Sequence, residues 1–173
     1  TANAIDVVIE TGDAGPTTPI GINLPNDQTV REQYGSKSLS LSNVLEAYDK
    51  SAMPATRLEF SWTAEEADRA AKWSNFASEL TTNMHEVIGH ASGQLAPSVG
   101  PANETLQAYA GTLEEGRADL VALYYLLDPK LVELKVVPSL EVGRAAYDAY
   151  IRGALLVQMS RVPLGEQLEE AHM

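Results

Sequence analysis

The feature that most constrains the fold is a long stretch without proline that begins near Thr63. Glu66 follows Thr63 by three residues, the capping-box spacing that begins helices, and small or apolar residues then recur near a helical period. The pattern continues to about Ser92. The sequence therefore predicts one long helix of about seven or more turns.

Further helical patterns flank this stretch. A short helix is predicted from Ser42 to about Asp49, and a longer one follows an Asn103 cap. The longer helix carries an apolar stripe as far as about Leu127, where an Asp-Pro pair ends it. Another is expected over about 140–160, after a short irregular or helical piece.

The first part of the chain has a different composition. Residues 1–40 are rich in glycine, proline, asparagine and threonine and are interpreted as loop-rich, with Val7-Val8-Ile9 as a possible short strand. Residues 57–61 are a second possible strand. We therefore expect a single domain, 1–173, that is mainly α: a loop-rich segment with at most a few short strands, then a helical core over 41–173.

Charge and composition exclude several classes of protein. Twenty-four acidic residues against twelve basic ones give a formal net charge of -12, which would repel nucleic acid and anionic lipid. No stretch approaches the roughly 18 to 20 apolar residues of a membrane span, and the N-terminus lacks a basic segment followed by an apolar signal core, which leaves the compartment open. A cytoplasmic location is the expectation for the longer protein of which this chain would be a fragment. Four aromatic residues are expected to pack in the core: Trp62, Trp73, Tyr124 and Tyr125.

The ligands available for a metal are limited, because the chain has no cysteine and only three histidines. Two of these stand in the run His85-Glu86-Val87-Ile88-Gly89-His90. Histidines four apart on a helix chelate zinc, with the intervening glutamate activating water. A gap of five instead separates the side chains by about 140° on an ideal helix, too far to share an ion. A local π-type bulge would restore the convergence, and Gly89 is suited to a distorted backbone.

A catalytic zinc ion usually keeps three protein ligands, so a third is needed. The next predicted helix offers acidic candidates at Glu114, Glu115 and Asp119. If the two helices lie antiparallel, these carboxylates face the histidines. Those that do not bind the metal can accept hydrogen bonds from the imidazole N–H groups.

These two segments resemble the dipeptidyl peptidase III family of zinc exopeptidases, marked by HExxGH and a later EExRxE-like run. The resemblance implies that His85, His90 and Glu115 bind Zn²⁺, with Glu86 as the general base that takes a proton from water. It also implies that Glu114 and Asp119 are partners of the ligating histidines, although the family normally has glutamate at the position of Asp119.

Two further segments extend the resemblance. Asn23 and Asn26 lie in a run similar to the family segment that holds the N-terminal end of a peptide, and His172 lies in one similar to a segment with another active-site histidine. The implied reaction is release of N-terminal dipeptides from short peptides. Since family enzymes have two lobes, we expect this chain to be the zinc-bearing lobe, with little activity without the missing second lobe.

Two alternatives remain open at the level of sequence. The chain could be a zinc hydrolase acting on another amide, or a non-catalytic helical peptide-binding module with a vestigial zinc site. Hydrolysis of dipeptidyl arylamides, metal content and the effect of replacing Glu86 separate the three hypotheses.

Overall fold

The fold is mainly helical with one small sheet, as the sequence predicts. The computed structural model describes residues 2–11, 18–25, 27–51, 54–153, 156 and 162–166. The strands are β1 (Ala2–Ile5), β2 (Gly21–Leu24) and β3 (Lys37–Leu41). The α-helices are α1 (Gln28–Tyr34), α2 (Ser42–Ser51), α3 (Pro54–Glu59), α4 (Ala64–Met84), α5 (Ala102–Thr105), α6 (Ala110–Leu126), α7 (Pro129–Glu133) and α8 (Glu141–Arg152). A π-helical turn (His85–Gly89) continues α4, and a 3₁₀ turn (Gln107–Tyr109) precedes α6.

Helix α4 begins where the capping pattern predicts. The Thr63 side chain accepts a hydrogen bond from the Glu66 backbone N–H, at 3.2 Å. The Glu66 carboxylate in turn accepts from the backbone N–H of Trp62, at 3.0 Å, which is one residue before the usual partner. None of the helices in the described ranges is long and apolar enough to cross a membrane.

All but the last residue of the sheet, Leu41, come from the segment predicted as loop-rich. Its strand order is β1-β3-β2, with β3 parallel to β1 and antiparallel to β2. The prediction of a strand at Val7-Val8-Ile9 is wrong, because the first strand lies at Ala2–Ile5 and residues 7–9 have no regular structure. The predicted strand at 57–61 is also wrong, since residues 54–59 form α3. Short apolar runs carry too little periodicity to separate strand from helix.

The predicted helix from 104 to 127 is interrupted. Asn103 does not cap it: α5 ends at Thr105, and α6 begins only at Ala110. The expectation of a buried aromatic core is wrong for three of four residues, since Trp62 and Tyr124 are largely exposed and Tyr125 is partly exposed. Trp73 does pack against the core.

The core lies between α4, α6 and α8, which supply most of its alanine and larger aliphatic side chains. Its buried members are Ala77, Leu80, Met84, Ala122, Leu126, Val137, Val142, Ala145 and Ala146. Gly143 allows α8 to approach the end of α6 closely, because a Cβ atom there would lie 2.1 Å from the Leu126 carbonyl oxygen. This close packing fixes the position of α8 relative to the end of α6.

Candidate metal centre

The turn that carries both histidines is π-helical, as the five-residue spacing predicts. The His90 N–H donates to the His85 carbonyl oxygen at 2.9 Å, which closes a turn of five residues. The two imidazole rings consequently lie edge to face, with centroids 4.6 Å apart. The extra residue therefore brings the histidines together.

Gly89 is needed for a reason that the sequence did not indicate. A Cβ atom at this position would lie 2.8 Å from the Ala118 carbonyl oxygen and 2.9 Å from its Cα. The glycine thus lets the π turn lie directly against α6. Glycine at position 89 is therefore explained by two requirements. It tolerates the distorted turn, and it allows the turn to pack closely against α6.

The sheet holds the π turn from the other side. The carbonyl oxygen of Glu86 accepts hydrogen bonds from Asn23 Nδ2 at 2.9 Å and from Ser38 Oγ at 3.1 Å. Asn23 and Ser38 are paired across β2 and β3, and both are buried. The strands therefore anchor the turn between the two histidines.

Both histidines face one carboxylate of α6. The Nε2 atoms of His85 and His90 lie 3.2 Å and 3.6 Å from the same oxygen, Glu115 Oε2. Glu86 is also close, since atoms of His85, Glu86 and His90 that could bind a metal lie within 4.8 Å of one another. Two carboxylates, Glu86 and Glu115, thus lie close enough to the histidines to offer a third ligand.

A second carboxylate binds the outer nitrogen of each ring. His85 Nδ1 lies 2.8 Å from Asp119 Oδ1, and His90 Nδ1 lies 3.0 Å from Glu114 Oε1. Since an ionised carboxylate only accepts hydrogen bonds, each Nδ1 carries the hydrogen. The lone pair of the neutral ring is then on Nε2, which is the tautomer that metal binding at Nε2 requires.

The histidines have strongly altered proton affinities. Burial opposes the charged form of His85, but hydrogen bonds to Asp119 and Glu115 outweigh it and raise the pKa of His85 to about 10. Burial acts likewise on His90, where bonds to Glu114 and Glu115 raise the pKa to about 9. In protein without a metal, both rings are therefore protonated at neutral pH.

The pKa values of the carboxylates that face the histidines shift in the opposite direction. Hydrogen bonds from the two histidines lower the pKa of Glu115 far below its ordinary value, against the effect of burial. Burial raises the pKa of Glu114, but hydrogen bonds from His90 and Arg117 bring it down to about 2. Both groups are anionic at neutral pH, the state in which a carboxylate can bind a metal or accept a hydrogen bond from an imidazole.

Glu86 lies in a different environment. Its Oε2 atom is buried without a hydrogen-bond partner among the described residues, and burial raises its pKa. Gly21 of β2 makes room for it, since a Cβ there would lie 2.7 Å from Glu86 Oε1. A buried carboxylate with raised pKa and an unpartnered oxygen is suited to proton transfer.

These residues line a cleft of about 1350 Å³ between β2 and the helices. Of the residues predicted for substrate binding, Asn23 lines the cleft, and its buried Oδ1 has no partner within the described part of the chain. Its Nδ2 is occupied by the bonds that anchor the turn. Asn26 and His172 lie outside the described residues.

The side chains that hold Glu114 and Asp119 in place were not predicted from the sequence. Tyr150 donates to Asp119 Oδ2 at 2.6 Å, and the Arg117 guanidinium binds both oxygens of Glu114 at 2.7 and 2.9 Å. Arg31 lies 3.6 Å from Glu114 Oε1. The three-residue spacing of Glu114 and Arg117 could have indicated their pairing. Tyr150 and Arg31 lie too far away in sequence for any local signal.

Comparison with known proteins identifies the family. The sequence model of peptidase family M49 matches residues 4–103, more than half of the chain. The chain therefore belongs to peptidase family M49. Among curated relatives, dipeptidyl peptidase 3 of Mus musculus is 28% identical over 92% of this chain, and that of Homo sapiens is 27% identical over the same share.

Two solved structures with a similar fold are also of dipeptidyl peptidase III. Dipeptidyl-peptidase III from Corallococcus sp. strain EGB superimposes with a TM-score of 0.70 at 25% identity, over 88% of this chain and 28% of that structure. The enzyme from Caldithrix abyssi gives 0.65 at 26% identity, over 89% and 29%. The chain spans 26% of the length of the mouse and human relatives.

Proposed function

We propose that this chain is the zinc-binding catalytic part of a peptidase that releases N-terminal dipeptides from short peptides. The observation that carries the proposal is the convergence of the His85 and His90 Nε2 atoms on Glu115 Oε2, at 3.2 and 3.6 Å. Membership of family M49 and the relatives named dipeptidyl peptidase 3 support the reaction. The rest of the peptide-holding surface would come from a second lobe outside this chain.

The residues fit zinc. Four donors at the corners of a tetrahedron, each about 2.0 to 2.1 Å from a zinc ion, lie about 3.3 to 3.4 Å from one another. The two nitrogen-to-oxygen distances bracket this value. Two imidazoles and one carboxylate are also a ligand set that catalytic zinc uses, with a fourth position left for water or substrate. His85, His90 and Glu115 would therefore hold the ion.

The chain's own residues would supply the remaining chemistry. A zinc ion held there would supply Lewis acidity, which makes water more acidic and polarises a carbonyl group. Glu86 would then act as general base: burial raises its pKa and its side chain lines the cleft beside the two histidines, so it could take the proton of the attacking water. It can return that proton to the leaving amine. Asp119 and Glu114 keep the two imidazoles in the required tautomer.

Asn23 is the residue of the cleft that the family resemblance assigns to holding the N-terminal end of a peptide. Its unpartnered Oδ1 would accept a hydrogen bond from a peptide's N-terminal ammonium group after a shift that exposes this buried atom. Asn26 and His172, which the family resemblance also assigns to the active site, remain predictions, as does the cytoplasmic location. The acidic residues around the histidines favour a cationic peptide end over an anionic one.

Metal analysis combined with hydrolysis tests the function. The purified full-length protein should contain one zinc ion, and it should cleave dipeptidyl arylamides with loss of activity on chelation and recovery with added zinc. An amino-terminally acetylated substrate is the control and should resist cleavage. Zinc binding without arylamide hydrolysis would instead favour another amide substrate or a non-catalytic binding module.

Proton release on zinc binding gives a further test. With both histidines protonated in chelator-treated protein, zinc binding at pH 7 should release close to two protons, because it requires neutral imidazoles. Apparent affinity should then fall about hundredfold for each pH unit of acidification near neutrality. Calorimetry in two buffers with different ionisation enthalpies measures the release. Asp119→Asn should reduce it, and release of less than one proton from the unmodified chain would contradict the prediction.

A further inference from the structure

We propose that Tyr150 is a positioning residue of the metal centre, which holds Asp119 in the orientation that fixes His85. The inference rests on the proposed function, because it assumes that His85 binds zinc. Tyr150 lies outside both sequence motifs, 31 residues beyond Asp119.

The hydrogen bond from Tyr150 is short and is made to only one of the two carboxylate oxygens of Asp119. Asp119 uses its two oxygens for different partners: Oδ1 lies 2.8 Å from His85 Nδ1, and Oδ2 accepts the Tyr150 hydroxyl at 2.6 Å. This length is typical of a hydrogen bond between a hydroxyl and a charged carboxylate. The chain of contacts therefore runs from α8 through Asp119 to the proposed ligand.

Tyr150, the donor, lies on helix α8, which is held in place by its packing. Three neighbouring residues of α8, Val142, Ala145 and Ala146, are buried in the core against α4 and α6. Gly143 also brings α8 close to the end of α6, with no space for a side chain beside the Leu126 carbonyl. Tyr150 is consequently presented to Asp119 from a helix whose position is set by packing.

The hydroxyl restricts the rotation of Asp119. With only one oxygen bound, a carboxylate can turn about its Cβ–Cγ bond and lengthen its contact with the imidazole. A second bond to the other oxygen removes this freedom and satisfies a partly buried acceptor. The His85 ring is then held in one orientation, which matters because outer partners of metal-binding histidines tune metal affinity.

The same helix provides a matched control. Tyr147 lies three residues before Tyr150 and donates its hydroxyl to the Leu123 carbonyl oxygen of α6 at 2.8 Å. Its hydrogen bond thus also joins α8 to α6, but its acceptor is a backbone group that is not bonded to His85. Tyr147→Phe removes a bond of the same type without touching the chain of contacts to the metal.

The experiment compares Tyr150→Phe with Tyr147→Phe in the purified protein. Zinc affinity is measured by competition with a chelator, and the geometry at the metal is followed by the absorption spectrum of the cobalt-substituted protein. Tyr150→Phe should weaken zinc binding about threefold to tenfold, less than loss of a direct partner would, and should shift the cobalt spectrum. Tyr147→Phe should leave both unchanged, even where it lowers thermal stability.

A double-mutant cycle tests the route through Asp119. In an Asp119→Ala background, Tyr150→Phe should have no further effect on zinc affinity, since its hydroxyl then has no carboxylate to hold. Unchanged affinity and cobalt spectrum in Tyr150→Phe, or additive losses in the double mutant, would overturn the inference. Failure of the unmodified protein to bind one zinc ion would overturn the proposed function, and this inference with it.

Discussion

Replacing Glu86 with glutamine lowers the rate of dipeptidyl arylamide hydrolysis by about 10² to 10⁴-fold, the usual contribution of a general base. Glutamine has nearly the same shape, so it still fits the space beside Gly21, but it cannot take a proton from water. The zinc content should stay at one ion per chain, because the proposed ligands are His85, His90 and Glu115. Steady-state kinetics and metal analysis of the same preparation measure both quantities.

A glutamate distant from the cleft provides the control. Glu133 of α7 is exposed and paired with Lys130 at 2.6 Å, so Glu133→Gln should keep full activity. If Glu86→Gln loses zinc, Glu86 is a metal ligand, as its closeness to the two histidines also allows. A rate within about threefold of the unmodified enzyme would rule out Glu86 as the general base.

Replacing Gly89 with alanine should both destabilise the protein and weaken zinc binding. In an ordinary helix this change is stabilising by up to about 1 kcal/mol. Here the new methyl group would lie 2.8 Å from a backbone oxygen of Ala118, so α6 and the π turn must separate. We expect a loss of about 1–3 kcal/mol in the free energy of unfolding of the metal-free protein. Since His85 and His90 would move away from Glu115, zinc affinity should fall about hundredfold.

Gly116 is the matched control for this substitution. It lies within α6 and is exposed, and a Cβ atom added there would have no other atom within 4 Å among the described residues. Gly116→Ala should therefore raise the free energy of unfolding by about 0.5–1 kcal/mol and leave zinc affinity unchanged. Denaturant unfolding and chelator competition compare the two variants. Equal effects at both positions would show that contact with Ala118 does not constrain the turn.

Local signals in the sequence are sufficient for the strongest elements. The Thr63 cap and the long proline-free run predict the start and extent of α4, and the five-residue histidine spacing predicts the π turn. The signals fail where the pattern is short, because they place the first strand too late and predict a strand where α3 lies. They also miss the break before α6, since nothing in the apolar stripe distinguishes a continuous helix from a 3₁₀ turn followed by a new one.

The outer parts of the site depend on tertiary packing, which a single sequence does not encode locally. The contact between Tyr150 and Asp119 exists because α8 packs against α4 and α6. Likewise, the bonds from Asn23 and Ser38 to the Glu86 carbonyl exist because the sheet covers the π turn. Spacing can indicate which carboxylates reach the histidines, but it cannot show which distant side chains hold those carboxylates.

The contact between Gly21 and Glu86 also limits how such a chain can change during evolution. The two positions are 65 residues apart, yet any side chain at position 21 would occupy the space of the Glu86 carboxylate. A lineage could therefore acquire a larger residue on β2 only after the acidic side chain had been lost or moved. A change at position 21 would consequently depend on the side chain at position 86, although each residue would look like an independent choice in the sequence.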